Sequence, residues 1–217
     1  MDLDDLRSRV QAKVTVDDTD LLDGWINDGV LDFMLQTGIK VAADTVSLSA
    51  GVGDYTLDTD ILAIREMVVT SAGDDYNLVQ VTPHEIRRWR RGLSGTGSPV
   101  YRYAVEGANL LMVYPTPSSA DVLTVYYVPR PATLASGSDV PSEIPAEFHK
   151  AVELYALGEA ADADDDSSSA QGQRYRDGYA LEVAKARRSK LTRGGSRLPV
   201  ASLARRRWVR HREDVYP

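Results

Sequence analysis

Three histidines, a glycine-rich run, an acidic run and two arginine-rich segments are the parts of this 217-residue chain whose side chains could do chemistry. His84 falls at a helix start, His149 one turn into a later helix and His211 inside a basic tail, so spacing brings no two of them to one metal or nucleophile. Gly92-Leu93-Ser94-Gly95-Thr96-Gly97 has glycines enough to cradle a phosphate. It lacks a Lys-Ser or Lys-Thr pair after them and a strand leading directly in, and it reads as a flexible surface loop. Asp162-Ala163-Asp164-Asp165-Asp166 offers oxygen ligands to a hard cation but has neither the glycine nor the distal glutamate of a calcium loop; a solvated connection between helices fits better. Carboxylate pairs for glycoside hydrolysis are recognised by separation in space, and the sequence nominates no particular pair. No catalytic, cofactor-binding or metal-ligating residue is assigned.

The arginines carry more information. Arg87, Arg88, Arg90 and Arg91 surround Trp89, a grouping able to stack on bases while holding phosphates. The preferred reading packs Trp89 against a sheet and turns the arginines toward acidic faces of a neighbour. Near the C-terminus, Arg205-Arg206-Arg207-Trp208-Val209-Arg210-His211-Arg212 is a basic strand with one large aromatic, the composition of a docking peptide for nucleic acid or for an acidic groove. A single bulky anchor such as Trp208 suits a protein pocket, whereas general DNA binding needs only charge. Eleven lysines and arginines, and no carboxylate, lie between Lys185 and Arg212. With a net charge of −7 for the whole chain, that leaves about −18 on the remainder. The tail is expected to seek an anionic surface.

Helices should hold the two ends of the chain. Asp2 can cap a helix in which Leu3, Leu6, Val10 and Val14 form one stripe, and after Thr15 to Asp20 a second helix should run to Thr37 and stop at Gly38. Its apolar side is Leu22, Trp25, Ile26, Val30, Phe33 and Met34, and the two helices should pair as a hairpin. Later, Phe148, Val152 and Tyr155 mark a helix starting near Pro145; Tyr175, Tyr179, Val183 and Ala186 mark a last one ending before Gly194-Gly195.

Between them the period changes to two. Val46, Leu48, Tyr55 and Leu57 alternate with polar residues around Gly51 and Gly53, and Ile64 to Thr70 and Tyr76 to Val81 flank a turn at Ser71 to Asp75. Thr82-Pro83-His84-Glu85 has the form of a capping box opening a short helix to Arg91. Strands follow at Val100 to Val105, Leu110 to Tyr114 and Val122 to Val128, read as an antiparallel meander.

The expected fold class is α+β: a helical bundle built from both chain ends, an inserted antiparallel β-sandwich or barrel-like domain, and an extended C-terminal arm. The corresponding divisions are 1–44, a helical hairpin; 45–135, the β domain with its short helix at 83–91; 144–192, the returning helices; and 193–217, the basic arm. The arm holds too few apolar side chains to fold alone and should order on a partner. The absence of cysteine excludes disulfides and thiolate metal sites. The acidic start Met1-Asp2-Leu3-Asp4-Asp5 lacks the basic-then-apolar order of a signal peptide, and no apolar run approaches the roughly 20 residues that cross a bilayer. A soluble chain without membrane contact is expected.

A series of short marks in fixed order resembles the head-to-tail adaptor, or connector, proteins of tailed bacteriophages. They are Leu21-Leu22 and Trp25-Ile26-Asn27, then Tyr55-Thr56-Leu57, Asp60-Ile61-Leu62-Ala63-Ile64 and Gly97-Ser98-Pro99-Val100-Tyr101. Val113-Tyr114-Pro115-Thr116-Pro117, Leu123-Thr124-Val125-Tyr126-Tyr127, Pro129-Arg130-Pro131, Ile144-Pro145, His149 and Tyr155-Ala156-Leu157 complete them. The resemblance implies a structural subunit of the virion neck, assembled in the host cytoplasm, at the head-tail junction. It implies a ring of about twelve copies beneath the portal, contacts with the portal and other tail or neck proteins, and a lined passage for DNA. It gives the arm an address on the portal, with Arg193, Arg197, Arg205, Arg206, Arg207, Trp208, Arg210 and Arg212 as the contacting residues. No cofactor and no enzymatic activity are expected. Two other readings stand beside it: a DNA-binding protein using the basic tail, and a tail-associated peptidoglycan hydrolase, for which no motif in the chain speaks.

Overall fold

The computed structural model describes residues 1–92, 95–163 and 169–193. Among them are five α-helices and two four-stranded sheets, a mixed α+β fold. Helix α1 (Leu3–Gln11) is capped by Asp2, whose carboxylate accepts from the Asp5 amide at 2.8 Å. Leu3, Leu6 and Val10 are fully buried, as their spacing requires. Helix α2 (Thr19–Thr37) starts earlier than expected because Asp18 caps it, accepting from Asp20 and Leu21 at 3.0 and 3.1 Å. It ends at Gly38, where φ is +52°, the left-handed conformation that a residue without Cβ adopts at least cost.

Both helices pack against α4 (His149–Ala163), and α5 (Ser169–Arg193) lies along α4 and touches α2. The expected α1–α2 pairing is present, and α4 is the larger partner of both. One apolar cluster holds Leu3 to Val10, Leu22 to Met34, Ile144 to Leu157 and Tyr179 to Ala186. Polar clips fix its register. Asn27 grips the backbone of Leu134 in both directions, donating to its carbonyl at 3.1 Å and accepting from its amide at 2.8 Å. The buried carboxylate of Glu153 is matched by Arg9 of α1 and by Lys13 just beyond its end. Tyr179 donates its hydroxyl to Asp32; burial, and then that carboxylate, push the phenol well above its ordinary range.

The strands do not form a meander. The first sheet has the order β1 (Ala42–Ser47), β8 (Val122–Pro129), β3 (Ile61–Ser71), β4 (Asp74–Asn77). The second has β2 (Asp54–Thr56), β7 (Leu110–Tyr114), β6 (Arg102–Glu106), β5 (Val79–Gln80), with β5 and β6 parallel and every other pairing antiparallel. The chain changes sheets because each sheet has one apolar face, and the two faces bury one another: Met67, Val69, Leu123 and Val125 of the first meet Tyr103, Leu111 and Val113 of the second.

The chain crosses between the sheets four times, and two of the crossings show how. At Ser49 to Gly53 the turn is fastened by Tyr55, whose hydroxyl donates to Val52 O at 2.8 Å and accepts from Ser49 N at 2.9 Å, with Gly51 at φ +80°. At Leu78 the strand expected over Tyr76 to Val81 is cut in two. The Leu78 amide still bonds Met67 O in the first sheet at 2.9 Å, while the Val79 amide bonds Tyr101 O in the second at 3.0 Å. The β3–β4 hairpin closes on Ala72-Gly73, both at positive φ, the conformation that matches the twist of the flanking strands.

Candidate functional site

Helix α3 (Pro83–Gly92) carries the first arginine group, and its start is the anticipated capping box. Glu85 accepts from the Thr82 amide and hydroxyl, both at 2.9 Å, and its own amide bonds the Thr82 hydroxyl at 3.3 Å. Those bonds to Thr82 hold the Glu85 carboxyl below its ordinary range.

Ile86 anchors α3 on Ala104, Met112 and Tyr114, which alternate with the core-facing Tyr103, Leu111 and Val113; the helix therefore covers the outer face of the second sheet. Trp89 lies 5.4 Å from the Tyr114 ring, and the Arg102 guanidinium sits 4.5 Å over the indole. The indole is thus packed as the preferred sequence reading expected, and it presents no free platform to a base. Arg90 reaches back under the helix to donate to Gly53 O at 2.6 Å and Val113 O at 2.9 Å, and pairs with Asp54. Arg87 pairs with Glu106. These two arginines meet carboxylates of their own chain instead of a neighbour's. What remains on the outward side is His84, Arg87, Arg88 and Arg91, at spacing i, i+3, i+4, i+7, around an open hollow of about 380 Å³. Among the described residues Arg88 and Arg91 make no ion pair.

The other candidates separate. His149 is buried, with Nε2 at 2.9 Å from Ile144 O and Nδ1 at 3.1 Å from the Met1 nitrogen. This suits a neutral ring that donates at one nitrogen and accepts at the other. Burial pushes its pKa below the ordinary 6.5. The unfolded chain then takes up the proton first, so this contribution to stability is full above pH 6.5 and declines as the pH falls below it. Urea unfolding at about pH 7.5 and 5.5 is expected to show lower stability at the acid end, with a smaller difference in His149→Gln; equal differences in the two proteins would assign the effect to other groups.

Gly95 to Gly97 is tied down, contrary to a free loop: Thr116 N bonds Gly95 O, and Gly97 N bonds Thr116 O at 2.9 Å. Leu93 and Ser94 lie outside the described residues, as do Asp164 to Asp166 of the acidic run. Asp162 of that run pairs with Arg176 on α5. No group of three or more potential metal ligands occurs among the described residues, and no described helix is long and apolar enough to cross a membrane. His211 and the arm residues Arg197, Arg205, Arg206, Arg207, Trp208, Arg210 and Arg212 lie outside the described residues; of Arg193, only its place as the last residue of α5 is described.

Sequence reasoning grouped the α3 arginines without separating the inward Arg90 from the outward Arg88 and Arg91. The signal was available, since Ile86, Trp89 and Arg90 fall on one side of a 3.6-residue period. The outer face of the first sheet went unnoticed, because alternation shows two faces and does not tell which is covered.

A family model described as SU10 adaptor protein matches residues 1–204 of the chain. No curated protein matches it.

Proposed function

The chain belongs to the SU10 adaptor protein family, and from that premise we propose that it is a neck subunit that joins the portal to the tail as a ring. The family match is that of a phage structural adaptor, a virion component that works through contacts with other head and tail proteins, and such families are generally non-enzymatic. The observation that carries the proposal is the extent of the match, 1–204, which takes in the helices, both sheets and part of the arm. In this reading residues 1–44 and 144–192 act together as a helical bundle, residues 45–135 as an inserted β domain, and 193–217 as the arm that anchors each copy to the portal through Arg193, Arg197, Arg205, Arg206, Arg207, Trp208, Arg210 and Arg212.

Charge supports the division of labour. A body of net charge −12 over residues 1–192 would repel phosphates and let DNA slide through a lined passage, while the arm, at +5, is attracted to an acidic groove. The test is sedimentation of the full chain alone and mixed with the cognate portal ring. A stoichiometric ring-on-ring complex is the expected result. Absence of joining, with binding to duplex DNA that falls steeply with salt, would replace this reading by the nucleic-acid one.

A further inference from the structure

The outward side of α3 and the outward side of the first sheet lie back to back across the β layers. On β8, Leu123 and Val125 point into the shared core, so Val122, Thr124 and Tyr126 point away from it. Their cross-strand partners extend that face: Thr45 opposite Thr124, Glu66 opposite Tyr126, Val68 opposite Thr124 and Thr70 opposite Val122, with Asn77 and Asp75 beyond on β4. Val122 and Tyr126 are 45% and 38% exposed, while Val128, next on the same side of β8, is buried in the helical cluster, so the open part of the face runs from Val122 to Tyr126. Glu66 and Asp75 form no ion pair among the described residues. Across the sandwich, α3 has the opposite endowment: cationic Arg88 and Arg91 without carboxylate partners, beside His84, around a hollow.

We infer that the outward face of α3, through Arg88 and Arg91, docks on the outward face of the first sheet of the next copy, against Glu66, Asp75 and the exposed Tyr126. This contact rests on the ring reading and names its surfaces. Three observations favour a second copy over DNA as the occupant of α3. The indole that would stack on bases is held by Tyr114 and Arg102. The net charge of −12 on residues 1–192 disfavours a polyanion on the body. And two unlike, complementary patches on opposite sides of one subunit are what a head-to-tail contact needs to propagate into a closed ring. Tyr126 offers its ring to a guanidinium, and the threonine hydroxyls offer acceptors.

The chain has no cysteine, which makes crosslinking clean. Full-length Arg88→Cys and Thr124→Cys proteins, mixed, assembled with the portal and oxidised, are expected to give a disulfide-linked pair, and the double variant a ladder of linked copies. Arg88→Cys with Leu181→Cys, on α5, should give none. Reversing charge in Arg88→Glu with Arg91→Glu should weaken ring assembly on the order of ten- to a hundred-fold, with circular dichroism unchanged. Adding Glu66→Arg and Asp75→Arg to that chain should restore it. Wild-type rings accompanied by undiminished assembly of the reversed variant and no Arg88–Thr124 link would overturn this contact and leave the ring intact. A wild-type chain that stays monomeric on the portal would overturn the ring reading and the contact with it.

Discussion

Truncation after Gly195 is expected to leave the body folded and to abolish its joining to the portal. The first half follows from where the described core ends: among the described residues the last buried member of the helical apolar cluster is Ala186, and of the cluster inside the sheets Val125. No described residue of either cluster is removed, so the urea midpoint should move little. The second half follows from charge. Of the eleven lysines and arginines between Lys185 and Arg212, the truncation removes six, together with Trp208, the one tryptophan of the arm. A peptide that binds by desolvating one tryptophan and pairing several guanidiniums loses both terms at once, and binding falls by orders of magnitude. Sedimentation with the portal ring separates the outcomes. A truncated chain that joins normally would move the anchor into the body, and Trp208→Ala in the full chain would then be silent as well.

Phe33→Ala should be the most damaging single substitution in the helical part, costing about 3–5 kcal/mol of stability. Phe33 has no exposed surface, and its ring lies 5.9 Å from that of Phe148. It stands in the apolar cluster to which α1, α2, α4 and α5 all contribute, so the cavity would open inside the core that these helices share. Against a total of roughly 5–15 kcal/mol for a typical domain, that loss brings the chain near unfolding. Leu181→Ala is the control: Leu181 is 64% exposed, and its loss should fall within about 0.5 kcal/mol. Urea denaturation followed by circular dichroism reads both. Similar costs at the two positions would mean that the helical cluster does not hold the fold together.

Much of the local structure was legible because its causes are local. Asp2 ahead of Leu3, Leu6 and Val10, Gly38 after Met34, and Thr82 to Glu85 around Pro83 each place a donor, an acceptor or a permissive backbone within a few residues of the helix end they define. Trp89 packed as its spacing with Ile86 suggested. Asp18, the cap of α2, is not singled out by the sequence because the polar run Thr15 to Asp20 holds five residues able to cap, and only the path of the chain into α2 selects one. The partners of Arg87 and Arg90 were not legible, since Glu106 and Asp54 are distant in sequence and become neighbours only when α3 lies across the second sheet.

By itself the sequence determined the α+β class, the helix ends at Asp2, Gly38 and Thr82, the strand periods and the separation of a basic arm from an acidic body, all of which depend on residues close together or on totals. The tertiary structure alone decided the strand order. An apolar strand face is satisfied by any apolar partner, and only the mutual burial of two sheets sends β8 between β1 and β3 and cuts the chain at Leu78. It also decided that Arg88 and Arg91 look outward on one side of the sandwich while Tyr126 looks outward on the other. Whether a surface stays free depends on which elements come to cover it, and the spacing of its residues does not carry that information.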